Sequence, residues 1–178
     1  MTHTIGTGPR FADAFGEIDP GQPDYDRMRD IAATLVPFGN HAGVRVTKIG
    51  PDESVVEIPD EPHLLNHLST VHAAALFLAA DIAGAAAFLG AAAPRMRDVR
   101  WFVLRDARTA FRKPATGSVR AVGTVDERAM RAVLAATGEG RFDVDGKALL
   151  YDASGTLVGK ASFEYVCDMA APADGQEP

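Results

Sequence analysis

Residues 66–90 read NHLSTVHAAALFLAADIAGAAAFLG, and this stretch decides the fold. Most of it is apolar on every side of a predicted helix, and Asp81 is the single charged residue within it. A helix without a polar face has to be enclosed by protein or lipid. Lipid is disfavoured, because most of the residues are weakly hydrophobic alanines and a central aspartate costs about 2.5–3.5 kcal/mol on insertion. We therefore expect a protein that encloses this helix and does not enter the membrane.

The composition predicts one globular domain. The chain has 178 residues, 47% of them hydrophobic, which is enough for a sizeable core. Its net charge of −6 and its scattered basic residues argue against binding to nucleic acid or to anionic membranes. Cys167 is the single cysteine, which excludes an internal disulfide framework. The first residues lack the basic start and apolar run of a secretion signal, so we expect a cytoplasmic protein.

Turn residues and alternating patterns divide the rest of the chain into a leading helix, a hairpin, and four strands after the long helix. A helix is predicted over residues 23–36 and a short one over 127–136, and Ser69 or Thr70 is predicted to cap the long helix. We interpret Asp145-Gly146 as a bulge within a strand and not as a separate hairpin. The predicted strands cover residues 42–49, 54–59, 98–112, 118–125, 141–152 and 156–166.

This order of elements predicts an α+β fold in which an antiparallel β-sheet wraps around one long central α-helix, with an extra N-terminal helix. Residues 21–168 would form the single domain, preceded by a loosely ordered segment over 1–20 and followed by a disordered tail over 169–178. A curved sheet leaves part of the helix uncovered. A second subunit is the economical way to bury the remainder, so we expect a homodimer, with a dimer of dimers left open.

Asp81 is the most informative charge in the chain. A buried carboxylate without a partner is costly, so such a group is normally paired, protonated or functional, and burial raises its pKa. The alternative is a structural role in which Asp81 bonds to the backbone or to Arg100 or Arg105. The first backbone N–H groups of the same helix, those of His72 and Ala73 among them, form a site for a developing oxyanion.

The separation of these two groups favours a shared site. Ala73 and Asp81 are eight residues apart, which is about 12 Å along an α-helix, so one copy cannot bring both to one reacting carbon. In a two-fold dimer, an antiparallel neighbour places the Asp81 of one copy near the helix start of the other.

Polar side chains precede this helix. Asn66 could position water or a substrate carbonyl, or could simply make a turn with its own loop. His72 could donate a hydrogen bond to a substrate or merely pack at the helix start. His63 and His67 flank the loop, so a metal site that also uses Asp81 is an alternative. With no cysteine ligand beside them, we predict no metal.

The spacing of these residues resembles that of hotdog-fold acyl-CoA thioesterases of the phenylacetate-pathway type, and in particular their uncharacterised relatives with a leading helix. That family has an Asn, a short loop, His-Gly-Gly, and an Asp nine residues after the His. Asn66, His72 and Asp81 stand at these spacings, whereas Ala73 and Ala74 replace both glycines. The resemblance covers residues 35–167.

The resemblance implies a hotdog fold, a homodimer with two sites at its interface, and hydrolysis of acyl-CoA to free acid and coenzyme A without a cofactor. By the family's roles, Asp81 would act as nucleophile or general base, and the Ala73 amide would polarise the thioester carbonyl. Asn66 and His72 would orient water and the acyl end. The added methyl groups of Ala73 and Ala74 would narrow the approach of the substrate.

Other residues could contact the substrate. Arg112 and Lys113 are candidates to meet the phosphates of coenzyme A, or are solvated surface charges. Leu76, Phe77 and Phe88 could line an acyl pocket, although core packing alone would explain them.

Two further functions remain open. A non-catalytic acyl-CoA-binding or regulatory protein would keep the pocket without turnover, which the His-Ala-Ala sequence favours. A hotdog dehydratase would need a catalytic His paired with a carboxylate across the interface. It ranks last, because Asp81 already occupies the position of the thioesterase acid.

Overall fold

The computed structural model describes residues 11–172, so the parts of the predicted terminal segments that cover 1–10 and 173–178 lie outside it. Five α-helices are found in the described range: α1 (Phe11–Phe15), α2 (Tyr25–Leu35), α3 (Pro37–His41), α4 (Ala73–Ala91) and α5 (Glu127–Ala135). Six strands accompany them: β1 (Arg45–Ile49), β2 (Ser54–Ile58), β3 (Val99–Phe111), β4 (Val119–Val125), β5 (Gly140–Asp152) and β6 (Leu157–Met169). Short 3-10 turns cover Pro62–Leu64 and Ala93–Asp98.

The six strands form one antiparallel sheet in the order β1-β2-β4-β5-β6-β3, and α4 packs against its inner face. The predicted α+β architecture is therefore confirmed. The two edges of the sheet are unequal: β1 has 5 residues, whereas β3 has 13 and, within residues 11–172, pairs only with β6.

α4 is the core helix of this fold. By length and composition alone it could cross a membrane, but 72% of its apolar stretch is buried inside the protein. The sheet comes very close to it, because a side chain at Gly123 on β4 would collide with the Ala83 carbonyl. The same carbonyl accepts a hydrogen bond of 2.6 Å from Oγ of the fully buried Ser54 on β2. The middle of α4 is thus fixed to the sheet.

The leading helix is α2, which lies within the predicted range of 23–36. Asp24 caps it by accepting the Arg27 N–H, and Met28 and Ala32 on its buried face pack into the core. Residues 11–20 differ from the expected loose order. Phe15 is fully buried and Ile18 is nearly so, and α1 packs against β3 and the turn before it. At the other end, the Ala170 N–H donates to the Asp98 carbonyl, so ordered chain extends past residue 168.

The interpretation of Asp145-Gly146 as a bulge is wrong, and so is the hairpin alternative. β5 runs straight through this pair, and its pairing with β4 and β6 is in regular register there. A side chain at Gly146 would come within 2.8 Å of the Tyr165 ring, so the glycine makes room for a neighbouring aromatic residue. The turn after β5 is confirmed, since the Asp152 carboxylate accepts the N–H groups of Ser154 and Thr156.

Candidate active site

The helix that carries Asp81 begins at Ala73, and its N-cap is His72. The predicted capping by Ser69 or Thr70 is wrong. Thr70 is held in the preceding loop, where its hydroxyl accepts a hydrogen bond of 2.9 Å from Nδ2 of Asn66. Ser69 has a φ of 57°, a left-handed conformation that separates the loop from the helix. The N-cap residue is therefore His72, whose Nδ1 accepts the Ala74 N–H at 3.0 Å.

The first turn of α4 leaves one backbone donor free. The N–H groups of Ala75 and Leu76 donate to the His72 carbonyl, and the His72 N–H donates to the Leu64 carbonyl. The Ala74 N–H is taken by the His72 ring. The Ala73 N–H has no acceptor within residues 11–172, and Ala73 is exposed. Of the two amides expected to form an oxyanion site, only that of Ala73 is available.

Asn66 organises the loop before the helix. Its Oδ1 accepts the Leu68 N–H at 2.8 Å, and the backbone N–H of Asn66 donates to the Thr70 carbonyl. This is the turn that the sequence left as an alternative to a direct role. Because an amide group carries two N–H donors and only one is used by Thr70, Asn66 retains one donor for a ligand.

A cleft of about 300 Å³ opens beside the start of α4. It brings together five of the predicted site residues, and the end of β3 with the segment after it supplies the opposite wall. Hydrogen bonds from the backbone N–H groups of Arg112 and Lys113 to the Val158 carbonyl fix that wall. The cleft is lined by Asn66, Thr70, Val71, Ala73, Leu76, Phe111, Arg112, Lys113, Pro114 and Ala115.

The two basic residues in the cleft differ in their surroundings. Arg112 is exposed and forms no ion pair with a carboxylate in the described part of the chain. Lys113 lies near Asp152: hydrogen bonds from Ser154 and Thr156 hold the pKa of Asp152 below its usual value, and the charge of Lys113 lowers it further. Arg112 is thus the freer of the two to meet an anion.

Asp81 has neither of the structural partners that the sequence allowed. Arg100 pairs with Glu139 and Asp168, and Arg105 pairs with Asp143 and Glu164. The Asp81 carboxylate forms no hydrogen bond or ion pair with any residue in the range 11–172, and burial raises its pKa.

Asp81 and the cleft lie on different parts of the same helix. The side chains of α4 that remain partly or fully exposed form a stripe, and Asp81 is in its middle, away from the lining of the cleft. The eight-residue separation from Ala73 corresponds to about 12 Å. One chain therefore presents an unpaired carboxylate and an unpaired amide at two separate places. The stripe consists of Ala73, Ala74, Phe77, Leu78, Asp81, Ala85 and Ala91.

The predicted acyl-pocket residues divide into two groups. Leu76 lines the cleft, and Phe77 is partly exposed on the stripe, with its ring centroid 6.5 Å from that of Phe163. Phe88 is fully buried and stacks on Phe102 at 3.8 Å. It belongs to the core, which was the alternative explanation.

One polar group near the cleft escaped the sequence analysis. Thr109 on β3 has a buried hydroxyl without a hydrogen-bond partner among the described residues. It pairs with the buried Ala161 and lies two residues before Phe111, which puts it on the same side of the strand as that cleft residue. The available signal was a threonine at an inward position of an alternating strand.

The histidines of the loop do not form a metal site in the part of the chain that the structure describes. His63 and His67 stand four residues apart, but one is in a 3-10 turn and the other in a loop, so helical spacing does not bring their rings together. Within residues 11–172 no three His, Cys, Asp or Glu side chains are placed to hold a metal ion.

Solved structures with the same fold identify the architecture. The chain matches PA5026 of Pseudomonas aeruginosa, described as a probable thioesterase, with a TM-score of 0.65 and 21% identity over 81% of this chain and 95% of that one. It matches a Chlorobaculum tepidum protein of unknown function with a TM-score of 0.67 and 16% identity, over 81% and 96%. The Escherichia coli PaaI protein, from the phenylacetic acid degradation operon, gives 0.54 and 15%, over 78% and 88%.

The sheet wrapped around α4 is therefore a hotdog fold, the fold of the thioesterase superfamily, as the resemblance implied. At these identities the likeness defines the fold and not the reaction. Residues 26–166 match the family described as a domain of unknown function, DUF4442, and the chain belongs to that family. A comparison with curated proteins finds no match.

Proposed function

We propose that this protein is an acyl-CoA thioesterase, which hydrolyses a thioester to the free acid and coenzyme A at sites shared between two copies of the chain. One observation carries the proposal: α4 holds both an unpaired carboxylate with a raised pKa, that of Asp81, and an unpaired backbone donor, the Ala73 N–H. A carboxylate and a fixed N–H donor are the two groups that addition to a thioester carbonyl requires.

The reaction follows from these two groups. The Ala73 N–H donates a hydrogen bond to the carbonyl oxygen and stabilises the negative charge that develops there as the tetrahedral intermediate forms. Asp81 removes a proton from the attacking water, and returns it to the sulfur when the C–S bond breaks. Attack by the carboxylate itself, through an anhydride that water then hydrolyses, would use the same residue.

Asn66 and His72 supply the orienting donors. The His72 Nδ1 is an acceptor, so the neutral ring carries its hydrogen on Nε2, on the side away from the helix. Asn66 lines the cleft, and its amide keeps one N–H that Thr70 does not use. Both could hold the water or the acyl end, while Leu76 and Phe77 provide apolar contact, and Arg112 and Lys113 meet the phosphates of coenzyme A.

A homodimer would join the two halves of the site. The edge strand β3 has 13 residues with one unpaired side, and such an edge invites pairing with another strand. Val103 and Phe111 on this strand are 40% and 49% exposed. Pairing of two copies about a two-fold axis would also cover the exposed stripe of α4, and bring Asp81 of one copy toward the cleft of the other. A dimer of dimers, a cytoplasmic location and the absence of a cofactor and of a metal belong to the same proposal.

Release of free thiol from short, long and aromatic acyl-CoAs tests the proposal, with Asp81→Asn as the variant and Asp60→Asn, at an exposed surface position, as the control. We expect turnover on at least one substrate and a fall of about a hundredfold or more in Asp81→Asn, since removal of a catalytic base typically costs this much. The control should keep full activity. Equal activity in Asp81→Asn and Asp60→Asn would contradict the proposal.

A second function, acyl-CoA binding without turnover, is favoured by one observation. The His72 N–H donates to the Leu64 carbonyl and the His72 ring accepts the Ala74 N–H, so Ala73 keeps the one free donor at the helix start among the described residues. Calorimetric binding of acyl-CoA together with no thiol release from any substrate would establish this alternative.

A further inference from the structure

Tyr165 lies beneath the residue on which the proposed reaction depends. It is in the middle of β6, and its side chain is only 1% exposed. Its ring stacks on Phe102 at 4.6 Å and contacts Phe163 at 5.5 Å, and these rings in turn contact Phe88 and Phe77. Tyr165 is at the centre of this aromatic row and brings the single hydroxyl into it.

Two glycines make the space for Tyr165. A side chain at Gly84, three residues after Asp81 on α4, would collide with the Tyr165 hydroxyl. A side chain at Gly146 on β5 would come within 2.8 Å of the ring carbon Cε2. Glycine weakens the interior of both a helix and a strand. At these two positions it lowers the local stability of α4 and β5, but it leaves the room that the Tyr165 side chain needs.

The hydroxyl in this space contacts the backbone of Asp81. Tyr165 donates a hydrogen bond of 3.4 Å to the Asp81 carbonyl oxygen. Two residues further on, Ser54 donates to the Ala83 carbonyl at 2.6 Å. Two side chains of the sheet therefore hold neighbouring carbonyls of α4, at the turn from which the Asp81 carboxylate projects.

We propose that Tyr165 is a positioning residue, whose hydroxyl fixes the α4 backbone at Asp81 and so sets the place of the carboxylate relative to the substrate. The proposal rests on the thioesterase function. The aromatic ring alone would suffice for packing, because it makes the stacking contacts. The hydroxyl adds the hydrogen bond to the Asp81 carbonyl, and it requires a glycine, Gly84, inside α4.

Tyr165→Phe tests the hydroxyl alone, because the ring and its stacking remain. We expect kcat to fall by about fivefold and KM to stay within about twofold, since one hydrogen bond that acts on the catalytic step is removed. Tyr151→Phe is the matched control and should leave both constants unchanged. A wild-type kcat in Tyr165→Phe would overturn the proposal.

A double variant separates positioning from packing. Gly84→Ala should lower the unfolding temperature, because its methyl group collides with the hydroxyl. Gly84→Ala with Tyr165→Phe should recover most of that loss, since the methyl then occupies the space the hydroxyl vacates, against Phe163 at 3.1 Å. Its kcat should remain as low as that of Tyr165→Phe. Recovery of wild-type kcat in the double variant would show that packing alone matters.

A measurement without substrate keeps this test separate from the thioesterase proposal. The Tyr165 hydroxyl points the positive end of its dipole at the Asp81 backbone carbonyl, and the pKa of Tyr165 is raised mainly by burial and further by the charge of Asp81, so the two groups interact. Carbon NMR of the Asp81 carboxyl should show its pKa rising by about half a unit in Tyr165→Phe, because a dipole that favours the charged form is lost. An unchanged pKa overturns the positioning proposal, even if the wild type hydrolyses no acyl-CoA.

Discussion

His72 caps the helix that follows it, because its Nδ1 accepts the Ala74 N–H at 3.0 Å. The bond has two consequences for the same ring. It takes the Ala74 N–H, so that Ala73 keeps the free N–H at the helix start, and it fixes the hydrogen of the neutral ring on Nε2, where the substrate of the proposed reaction would accept it. One side chain thus caps the helix and, in the proposed mechanism, also contacts the substrate.

Two substitutions of His72 separate these roles. His72→Ala should lose about 1 kcal/mol of unfolding free energy, since the cap is lost. His72→Asn should keep most of that stability, because asparagine is a favoured N-cap, but it lacks the Nε2 donor. We expect both variants to lose kcat, and only His72→Ala to lose stability in urea unfolding. Full activity in His72→Asn would show that His72 caps the helix and that its Nε2 donor has no role in the reaction.

The long helix and the sheet could be predicted because their signals are local. An apolar stretch as long as α4 permits few arrangements, and the strands alternate in the usual way. The cap could not be predicted from the same residues. Thr70 fits the pattern of an N-cap, but its hydroxyl is bonded to Asn66, and that competition appears only when the loop is folded.

Contacts between different strands and helices account for the other differences between the sequence predictions and the structure. Beside Asp145, Gly146 suggests a bulge or a hairpin, whereas the reason for a glycine here is the Tyr165 ring on the neighbouring strand. The strand pattern places Thr109 at an inward position, but it does not reveal that the hydroxyl lacks a partner among the described residues. By contrast, Asp81 was identifiable, because a charge is conspicuous in an apolar helix.

The ionisation of Asp81 should destabilise the folded protein. Burial raises its pKa above the ordinary 3.8, so the folded state holds this proton more tightly than the unfolded state does. The destabilisation is absent below pH 3.8, and is complete once the pH exceeds the folded pKa. Asp81→Asn should therefore unfold at higher urea concentration than the wild type at pH 7. This advantage should disappear in acid.

The matched control for this effect is Asp60→Asn, which alters an exposed carboxyl. It should leave the unfolding midpoint unchanged at both pH values. A variant Asp81→Asn less stable than the wild type at pH 7 would show that the carboxylate has a stabilising partner, and would contradict its unpaired state.

Arg112 should recognise the phosphates of coenzyme A. Arg112→Gln is expected to raise KM for acyl-CoA by about five- to tenfold, because a charge-assisted contact is lost, with little change in kcat. The same variant should hydrolyse an acyl-pantetheine without phosphates as the wild type does. Arg128→Gln, which alters an exposed residue on α5 outside the cleft, is the control. An equal rise in KM for both substrates would show that Arg112 does not act through the phosphates of coenzyme A.

A proline at position 73 would remove the free donor and little else. Ala73 is the first residue of α4, where proline is tolerated because its φ suits the helix and the N–H is unpaired. The preceding His72 has φ −64° and ψ 139°, the extended conformation that a following proline requires. Ala73→Pro should therefore fold normally by circular dichroism and lose thioester hydrolysis, as Asp81→Asn does.

Mixing these two inactive variants tests whether the site is shared. In a heterodimer of Ala73→Pro and Asp81→Asn chains, one of the two sites would combine the intact Ala73 of one copy with the intact Asp81 of the other. After dissociation and reassociation at equal concentrations, about a quarter of the wild-type activity should return, because half the dimers are mixed and each has one complete site. If each chain used its own Ala73 and Asp81, every site would contain one defect. The mixture would then stay inactive, and the two-copy mechanism would be wrong.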